Sequence, residues 1–139
     1  MPSILAQNEV LKGFEPSWVA WLEERCIEIG FNRGDLVIER GHAAIGLYLL
    51  LDGEVSVRTD RGGELARVGQ GGVIGEMALV DGGTRSVNVL AITNVSSMLM
   101  TASEFEAIKV ARPEIALAVM TNLCRILSWR IRNLTRLLS

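Results

Sequence analysis

Short runs in which apolar and polar residues alternate occupy the middle of the chain. Alternation with a period of two places the apolar side chains on one face of a β-strand. Glycine, asparagine and aspartate separate the runs, as expected for antiparallel strands joined by tight turns. The pattern predicts strands over residues 36–39, 46–51, 54–59, 64–68, 86–92 and 95–101.

Two turns between these runs have the residues of β-hairpins. Asp52-Gly53 lies between the second and third runs, and Asp-Gly favours the type I′ turn, which needs positive φ at both central residues. Asp60-Arg61-Gly62-Gly63 separates the next pair of runs. Many short strands with regular turn signals predict a sandwich, a jelly roll or a barrel.

Helical spacing flanks the strands on both sides. Apolar residues around Trp18 recur at helical intervals, and Pro16 suits the first turn of that helix. Ser103 is a plausible N-cap of a short helix, and a long helix is expected to begin at Pro113 or Glu114. Apolar residues of the long helix recur at alternating steps of three and four, which is a heptad seam: Leu117, Met120, Cys124, Leu127, Ile131, Leu134 and Leu138. The spacing predicts packing but leaves open whether the partner is the chain's own strands or a second helix.

Composition and charge narrow the class of protein. The chain has 139 residues with 49% hydrophobic residues and a net charge of −2, which suits one globular domain and excludes a disordered tail. No apolar run approaches the roughly 18–20 residues of a membrane span, and the first residues do not resemble a signal peptide. We therefore expect a cytoplasmic protein or the cytosolic domain of a membrane protein. From Glu114 onward the chain has four arginines against one acid, and we expect these arginines to form a solvated face rather than a nucleic-acid site.

Cysteine and histidine usage argues against catalysis and metal binding. His42 is the only histidine, and Cys26 and Cys124 are far apart in the sequence. A zinc site usually needs several such ligands, and a nucleophilic centre needs a placed base. We therefore predict no enzyme activity, no metal and no cofactor. Both cysteines are expected to be buried among apolar side chains.

The glycine-rich stretch over residues 69–86 has the parts of an anion site. Its glycines let the backbone approach a ligand, and a short helical turn from Glu76 would direct N–H groups at an anion. Arg85 can hold a phosphate with two hydrogen bonds. A carboxylate would repel a phosphate, so Glu76 fits a ligand that also carries hydroxyl donors, as a ribose does.

The same stretch resembles the phosphate-binding cassette of the cyclic nucleotide-binding domain family. The matching residues are Ile74-Gly75-Glu76-Met77-Ala78-Leu79 and Thr84-Arg85-Ser86. The family includes bacterial catabolite activators, protein kinase A regulatory subunits and cyclic nucleotide-gated channels. The resemblance implies a mainly β fold: an eight-stranded β-roll with an N-terminal helix, a short cassette helix and a long C-terminal hinge or lid helix. It implies one domain over residues 1–139, with a helical lead over 10–26, the roll over 27–101, the cassette over 74–86 and C-terminal helices over 103–138.

The resemblance also implies a set of ligand-binding residues: Gly75, Glu76, Met77, Ala78, Arg85 and Ser86. In this set Gly75 lets the backbone approach, Glu76 accepts a hydrogen bond from the ribose 2′-hydroxyl, and the next two residues supply backbone N–H groups. Arg85 pairs with the cyclic phosphate, and Ser86 offers a hydroxyl or N–H beside it. Thr84 departs from the proline that often precedes the arginine, which should loosen the turn slightly.

The implied function is that of a regulatory sensor. The ligand is a cyclic mononucleotide, with cAMP favoured and cGMP possible, and the C-terminal helix moves on binding. The output is an attached or separate effector such as a channel, a transporter or an enzyme, with a homodimer through the long helix as a further possibility. The alternative is a degenerate β-roll that serves as an interaction or dimerisation scaffold without binding a nucleotide.

Overall fold

The structure is a computed structural model that describes residues 4–76, 79 and 87–138, with side chains described up to residue 133. Two short 3-10 helices begin it, Ile4–Gln7 and Glu9–Leu11. The α-helices are α1 (Pro16–Glu23), α2 (Ala102–Ala111) and α3 (Pro113–Leu138). The strands within the described residues are β1 (Ile27–Phe31), β2 (Leu36–Ile38), β3 (Gly46–Asp52), β4 (Val55–Arg58), β5 (Glu64–Val68), β6 (Val73–Ile74), β7 (Asn88–Ala91) and β8 (Val95–Thr101).

The strands form two antiparallel sheets of four strands each. One sheet has the order β1-β8-β3-β6 and the other has the order β2-β7-β4-β5. This arrangement confirms the mainly β fold with flanking helices. Six of the strands lie where the alternating pattern predicted them, whereas β1 and β6 were not among those runs. The division into domains stays a prediction, and the cassette helix lies largely outside the described residues.

Strand β3 is buried on both of its faces. Leu47 and Leu49 of β3 face the helices and belong to the helical core, which also contains Met98, Met100, Phe105, Ile108, Ile115, Val119 and Leu123. Tyr48 and Leu50 face the other sheet and belong to the roll core, which also contains Val37, Ile38, Val55, Ile74, Val89, Ala91, Val95 and Leu99. Because successive side chains of a strand point to opposite faces, β3 takes part in both cores.

The predicted Asp52-Gly53 hairpin is wrong. The turn is a corner at which the chain passes from one sheet to the other, since β3 pairs with β6 and β8 while β4 pairs with β5 and β7. Gly53 has φ 91°, and a Cβ built there would lie 2.3 Å from the carbonyl oxygen of Asn94. The glycine is therefore required by the close approach of the turn between β7 and β8. The second predicted hairpin is confirmed, because β4 and β5 pair directly.

The helices begin close to their predicted positions. Helix α1 has Pro16 in its first turn, but the expected helical lead over residues 10–26 is divided, since the 3-10 helix ends at Leu11. Helix α2 is capped by Thr101 rather than Ser103, because the Thr101 Oγ1 accepts a hydrogen bond from the Glu104 N–H at 3.0 Å. None of the helices in the described part of the chain is long and apolar enough to cross a membrane.

Helix α3 packs into the helical core through a stripe that, among the described side chains, shares only the partly buried Met120 with the heptad seam. Its buried residues are Ile115, Ala116, Val119, Asn122 and Leu123. In the seam, Leu117 and Ile131 are 68% and 64% exposed, and Cys124 is exposed as well. The expectation that both cysteines are buried is therefore wrong for Cys124. Cys26 is half-buried, and burial raises the pKa of its thiol to about 12.

We predict that Gly53→Ala destabilises the domain much more than Gly34→Ala. Both glycines have positive φ, but nothing lies within 4 Å of a Cβ built at Gly34. The control substitution therefore adds only backbone strain, about 1–2 kcal/mol, whereas Gly53→Ala adds a backbone clash and should cost about 2–5 kcal/mol in total. Urea unfolding of the two variants measures the difference. Equal losses of unfolding free energy would contradict the close approach at this corner.

Candidate functional site

Strand β6, at the start of the predicted cassette, is packed into both cores. Strand β6 pairs with β3, and its residues Val73 and Ile74 are buried in the helical core and the roll core respectively. Gly75 follows with φ 81°, the left-handed conformation that glycine adopts without steric cost. The position of Glu76 therefore follows from the packing of β6 and from the turn at Gly75.

The carboxylate of Glu76 contacts the long C-terminal helix. The Arg130 Nη1 donates a hydrogen bond to Oε1 of Glu76 at 3.1 Å, and its Nη2 donates to the backbone carbonyl of Val73 at 2.8 Å. The Glu76 side chain is 16% exposed and the Arg130 side chain 32%, so this ion pair is partly shielded from water. One guanidinium group thus connects α3 both to Val73, just before the cassette, and to Glu76, within its first residues.

A second carboxylate shares the same arginine. The Nη2 of Arg130 lies 3.7 Å from Oε1 of Glu9, in the second 3-10 helix. Partial burial raises the pKa of the Glu9 carboxyl; the positive charge of Arg130 opposes the rise, and the negative charge of Glu76 adds to it. Glu9, Glu76 and Arg130 form a cluster, here called the charge cluster, with two negative charges and one positive charge.

Two buried amides fix the N-terminal segment beside this cluster. The Asn8 Nδ2 donates to the carbonyl of Gly72 at 2.8 Å, immediately before β6. The Asn122 Nδ2 of α3 donates to the carbonyl of Val10 at 2.7 Å. Both amides are buried, where an unpaired polar group would be costly. The second 3-10 helix is therefore bound both to the turn before β6 and to α3.

Beyond Ile74, Gly75 and Glu76, the structure describes one further residue of the predicted cassette, Leu79. The N–H of Leu79 donates to the carbonyl of Glu76 at 3.1 Å, and the Leu79 side chain is buried in the helical core. This hydrogen bond is consistent with the helical turn expected after Glu76.

The structure places only part of the predicted site. It brings Gly75 and Glu76 to the end of β6, whereas Met77, Ala78, Arg85 and Ser86 lie outside the described residues. The roles of all six residues stay predictions. Within the described ranges, no group of three histidine, cysteine, aspartate or glutamate residues is placed to hold a metal ion.

Sequence reasoning missed Arg130 and Glu9. Arg130 was expected to lie on a solvated face, yet it continues the packing stripe of α3. The steps from Val119 to Leu123, Ile126 and Arg130 are four, three and four residues, which keeps all of them on one side of a helix. An arginine in register with that stripe was the available signal. Glu9 gave no comparable signal, because its contact with Arg130 joins segments far apart in the sequence.

The chain belongs to the cyclic nucleotide-binding domain family. Residues 28–110 match the family model described as "Cyclic nucleotide-binding domain". The matched region includes every described strand from β2 to β8 and the whole of the predicted cassette. The match to the family model therefore confirms the family that the cassette residues indicated.

Two curated relatives show how such a domain occurs in longer proteins. The chain is 31% identical over 137 residues to a CRP-like cAMP-activated global transcriptional regulator of Mycobacterium tuberculosis, covering 96% of this chain and 59% of the regulator. It is 38% identical over 127 residues to Glutaminase 2 of Bradyrhizobium diazoefficiens, covering 91% of this chain and 20% of that protein. The chain thus spans about three fifths of one relative and one fifth of the other.

Solved structures show the same fold. The crystal structure of a cyclic nucleotide-binding domain from Methylobacillus flagellatus has a TM-score of 0.84 and 25% sequence identity. The match covers 94% of this chain and 75% of that one.

We predict that Glu9→Gln stabilises the domain near neutral pH and that this gain disappears in acid. A raised carboxyl pKa means that ionised Glu9 is less favourable in the folded than in the unfolded state. The penalty is fully present above the folded pKa, and it is absent below the unfolded value of about 4.5. Urea unfolding of both proteins, from pH values below the unfolded pKa to values above the folded pKa, measures the change in the free energy of unfolding. Glu28→Gln, on exposed β1, is the charge-matched control. A Glu9→Gln gain that is independent of pH would contradict the prediction.

Proposed function

We propose that the chain binds a cyclic mononucleotide, with cAMP favoured over cGMP, and acts as a regulatory sensor. The observation that carries the proposal is the left-handed Gly75 at the end of β6, followed directly by Glu76, in a chain that belongs to this family. The preference for cAMP is supported by the relative from M. tuberculosis, whose name describes it as cAMP-activated.

Each proposed binding residue contacts the part of the ligand that suits its own chemistry. Glu76 accepts a hydrogen bond from the ribose 2′-hydroxyl, and Arg85 pairs with the cyclic phosphate through its planar guanidinium. Backbone N–H groups of Met77 and Ala78 and the hydroxyl or N–H of Ser86 complete the phosphate contacts. Gly75 lets the backbone approach the nucleotide closely.

The signal is proposed to pass through movement of α3. This helix already contacts Glu76 through Arg130, so a ligand at Glu76 changes the surroundings of the helix. A ligand shifts an equilibrium between two conformations only by its difference in affinity for them. The open and closed forms are proposed to differ in how α3 lies against the start of the cassette.

We propose that nucleotide binding controls an effector and that this domain does not itself catalyse a reaction. The matched part of each curated relative is only a portion of that protein, so the effector is an attached domain or a separate partner, such as a channel, a transporter or an enzyme. No catalytic role is proposed for the matched residues.

A homodimer through α3 is the second part of the proposal. The heptad seam predicts packing with its partner left open, and the structure leaves Leu117 and Ile131 about two-thirds exposed while a separate stripe packs into the helical core. A second copy of the same helix presents the same spacing of apolar residues, and pairing the two seams would bury both.

Replacing the proposed phosphate partner should abolish binding without unfolding the domain. We expect Arg85→Leu to weaken cAMP binding by about a hundredfold or more, because a charge-assisted bidentate contact with the phosphate is lost. Calorimetric titration with cAMP and with cGMP measures both affinities. Arg61→Leu, in the exposed turn between β4 and β5, is the control for loss of a surface arginine.

The outcomes separate the proposal from the alternative. Binding by the wild type and by Arg61→Leu, but not by Arg85→Leu, supports a phosphate site in the cassette. Binding by Arg85→Leu as tight as the wild type would remove Arg85 from the site. Absence of binding by the wild type with either nucleotide would favour the scaffold without nucleotide binding.

Charges introduced into the seam should dissociate the dimer. We expect the double variant Leu117→Lys/Ile131→Lys to sediment as a monomer at concentrations where the wild type is a dimer, with little change in melting temperature, because both side chains are exposed in the single chain. Val110→Lys, which replaces an 86% exposed residue of α2, is the matched control and should stay dimeric. A wild type that sediments as a monomer throughout would contradict the dimer.

A further inference from the structure

We propose that the outward face of α3, formed by Arg125, Trp129 and Arg132, is a docking surface for an acidic segment of a protein partner. This surface is here called the Arg–Trp face. It lies outside the nucleotide cassette, and the inference does not depend on nucleotide binding. It adds to the proposed function the chemical class of a partner that α3 contacts.

The Arg–Trp face is separate from both apolar stripes of α3. Its three residues are spaced by four and three positions, and each of them is exposed. With about 100° of rotation per residue, they lie more than about 100° around the helix axis from the middle of the buried stripe and from the middle of the heptad seam. Pairing of two helices through the seam would therefore leave this face accessible.

Trp129 supplies an apolar contact point on this face. It is 66% exposed, whereas Trp18 and Trp21 pack against the helical core. Tryptophan and arginine are both enriched at the energetically important centres of protein interfaces. Single exposed apolar residues are common on protein surfaces, so Trp129 indicates an interface only together with the two arginines beside it.

The guanidinium groups of Arg125 and Arg132 are not neutralised by the domain. In the described part of the chain neither forms a hydrogen bond or an ion pair, whereas Arg130 of the same helix is paired with two carboxylates. The sequence of α3 contains no acid after Glu114, although solvated surfaces usually mix the two signs of charge. Two uncompensated guanidinium groups beside an indole predict an anionic partner that also carries an apolar group.

The distribution of charge favours a narrow acidic segment as that partner. From Glu114 onward, four arginines against one acid give a net charge of +3. The totals of 14 basic and 16 acidic residues leave 10 and 15 before that point, which is a net charge of −5. A bilayer or a long nucleic acid is an extended negative surface, which the acidic body of the domain would repel. An acidic peptide segment reaches α3 without approaching that body.

The spacing of the Arg–Trp face specifies the segment further. Arg125 and Arg132 are seven residues apart, which is about 10 Å along the helix axis. Each guanidinium can hold a carboxylate through two hydrogen bonds. The matching segment has two carboxylates at this spacing and, between them, an apolar side chain that packs on Trp129. In a partner helix, acidic residues at i and i+7 with leucine at i+3 have this arrangement.

A helical peptide of defined sequence tests this match. The probe is a fluorescently labelled peptide of three Glu-Ala-Ala-Leu-Glu-Ala-Ala repeats, and in the control peptide lysine replaces every glutamate. Fluorescence anisotropy measures the dissociation constants of the wild type, Arg125→Gln/Arg132→Gln and Trp129→Ala. The control variant Arg33→Gln/Arg61→Gln loses two exposed arginines outside α3, whose side chains likewise have no ion pair among the described residues.

We expect the wild type to bind the acidic peptide and not the lysine peptide. Arg125→Gln/Arg132→Gln should weaken binding by about tenfold or more, because two charge-assisted contacts are lost. Trp129→Ala should weaken it severalfold through loss of the apolar contact. The control variant should bind within about twofold of the wild type. Melting temperatures should change little, because every replaced side chain is exposed.

Three outcomes overturn the inference. Failure of the wild type to bind the acidic peptide removes the docking surface. Equal weakening by the control variant would mean that the peptide responds to total charge rather than to this face. Binding of phosphatidylserine vesicles or of an oligothymidine strand, but not of the peptide, would assign the face to a membrane or to a nucleic acid. Nucleotide binding is measured separately by calorimetry, so failure of the proposed function leaves this test unaffected.

Discussion

Burial of β3 on both of its faces is the constraint on which the rest of the structure depends. In β3, Leu47 and Leu49 face the helices while Tyr48 and Leu50 face the second sheet. A shift of register by one residue would exchange these two sets, so the pairing of β3 with its neighbours is strongly specified. Strand β6 has only two residues, and its position is fixed by that pairing. The location of Glu76, just after β6, follows from it.

The charge cluster lies where three separate parts of the chain meet. Glu9 comes from the N-terminal segment, Glu76 from the start of the cassette and Arg130 from α3. Each part is fixed by its own packing, so the charges are brought together by the fold rather than by proximity in sequence. Partial burial of Glu76 and Arg130 strengthens their interaction relative to a fully exposed ion pair. The cluster therefore couples the position of α3 to the chemistry of the proposed nucleotide site.

Local patterns predicted the elements better than the connections between them. Alternation located β3, β4, β5 and β8 closely, and Pro113 marked the start of α3 because proline suits a first helical turn. Asp52-Gly53 located a turn but suggested the wrong partner strand, since turn chemistry does not state which sheet the next strand joins. For the site, Gly75 and Glu76 were found from the cassette pattern. Arg130 was not found, because its role depends on which of two stripes of α3 faces the helical core.

The two buried amides have a consequence for the design of a reporter. Asn8 and Asn122 hold the second 3-10 helix to the turn before β6 and to α3, so a fluorophore at the N-terminal end of the described chain and one on α3 would sit on segments joined by hydrogen bonds. Their separation is a poor gauge of whether the helix has shifted. A fluorophore at Arg61, in the exposed turn between β4 and β5 of the other sheet, provides an independent reference point. Optical labelling of this domain should therefore pair α3 with that far turn.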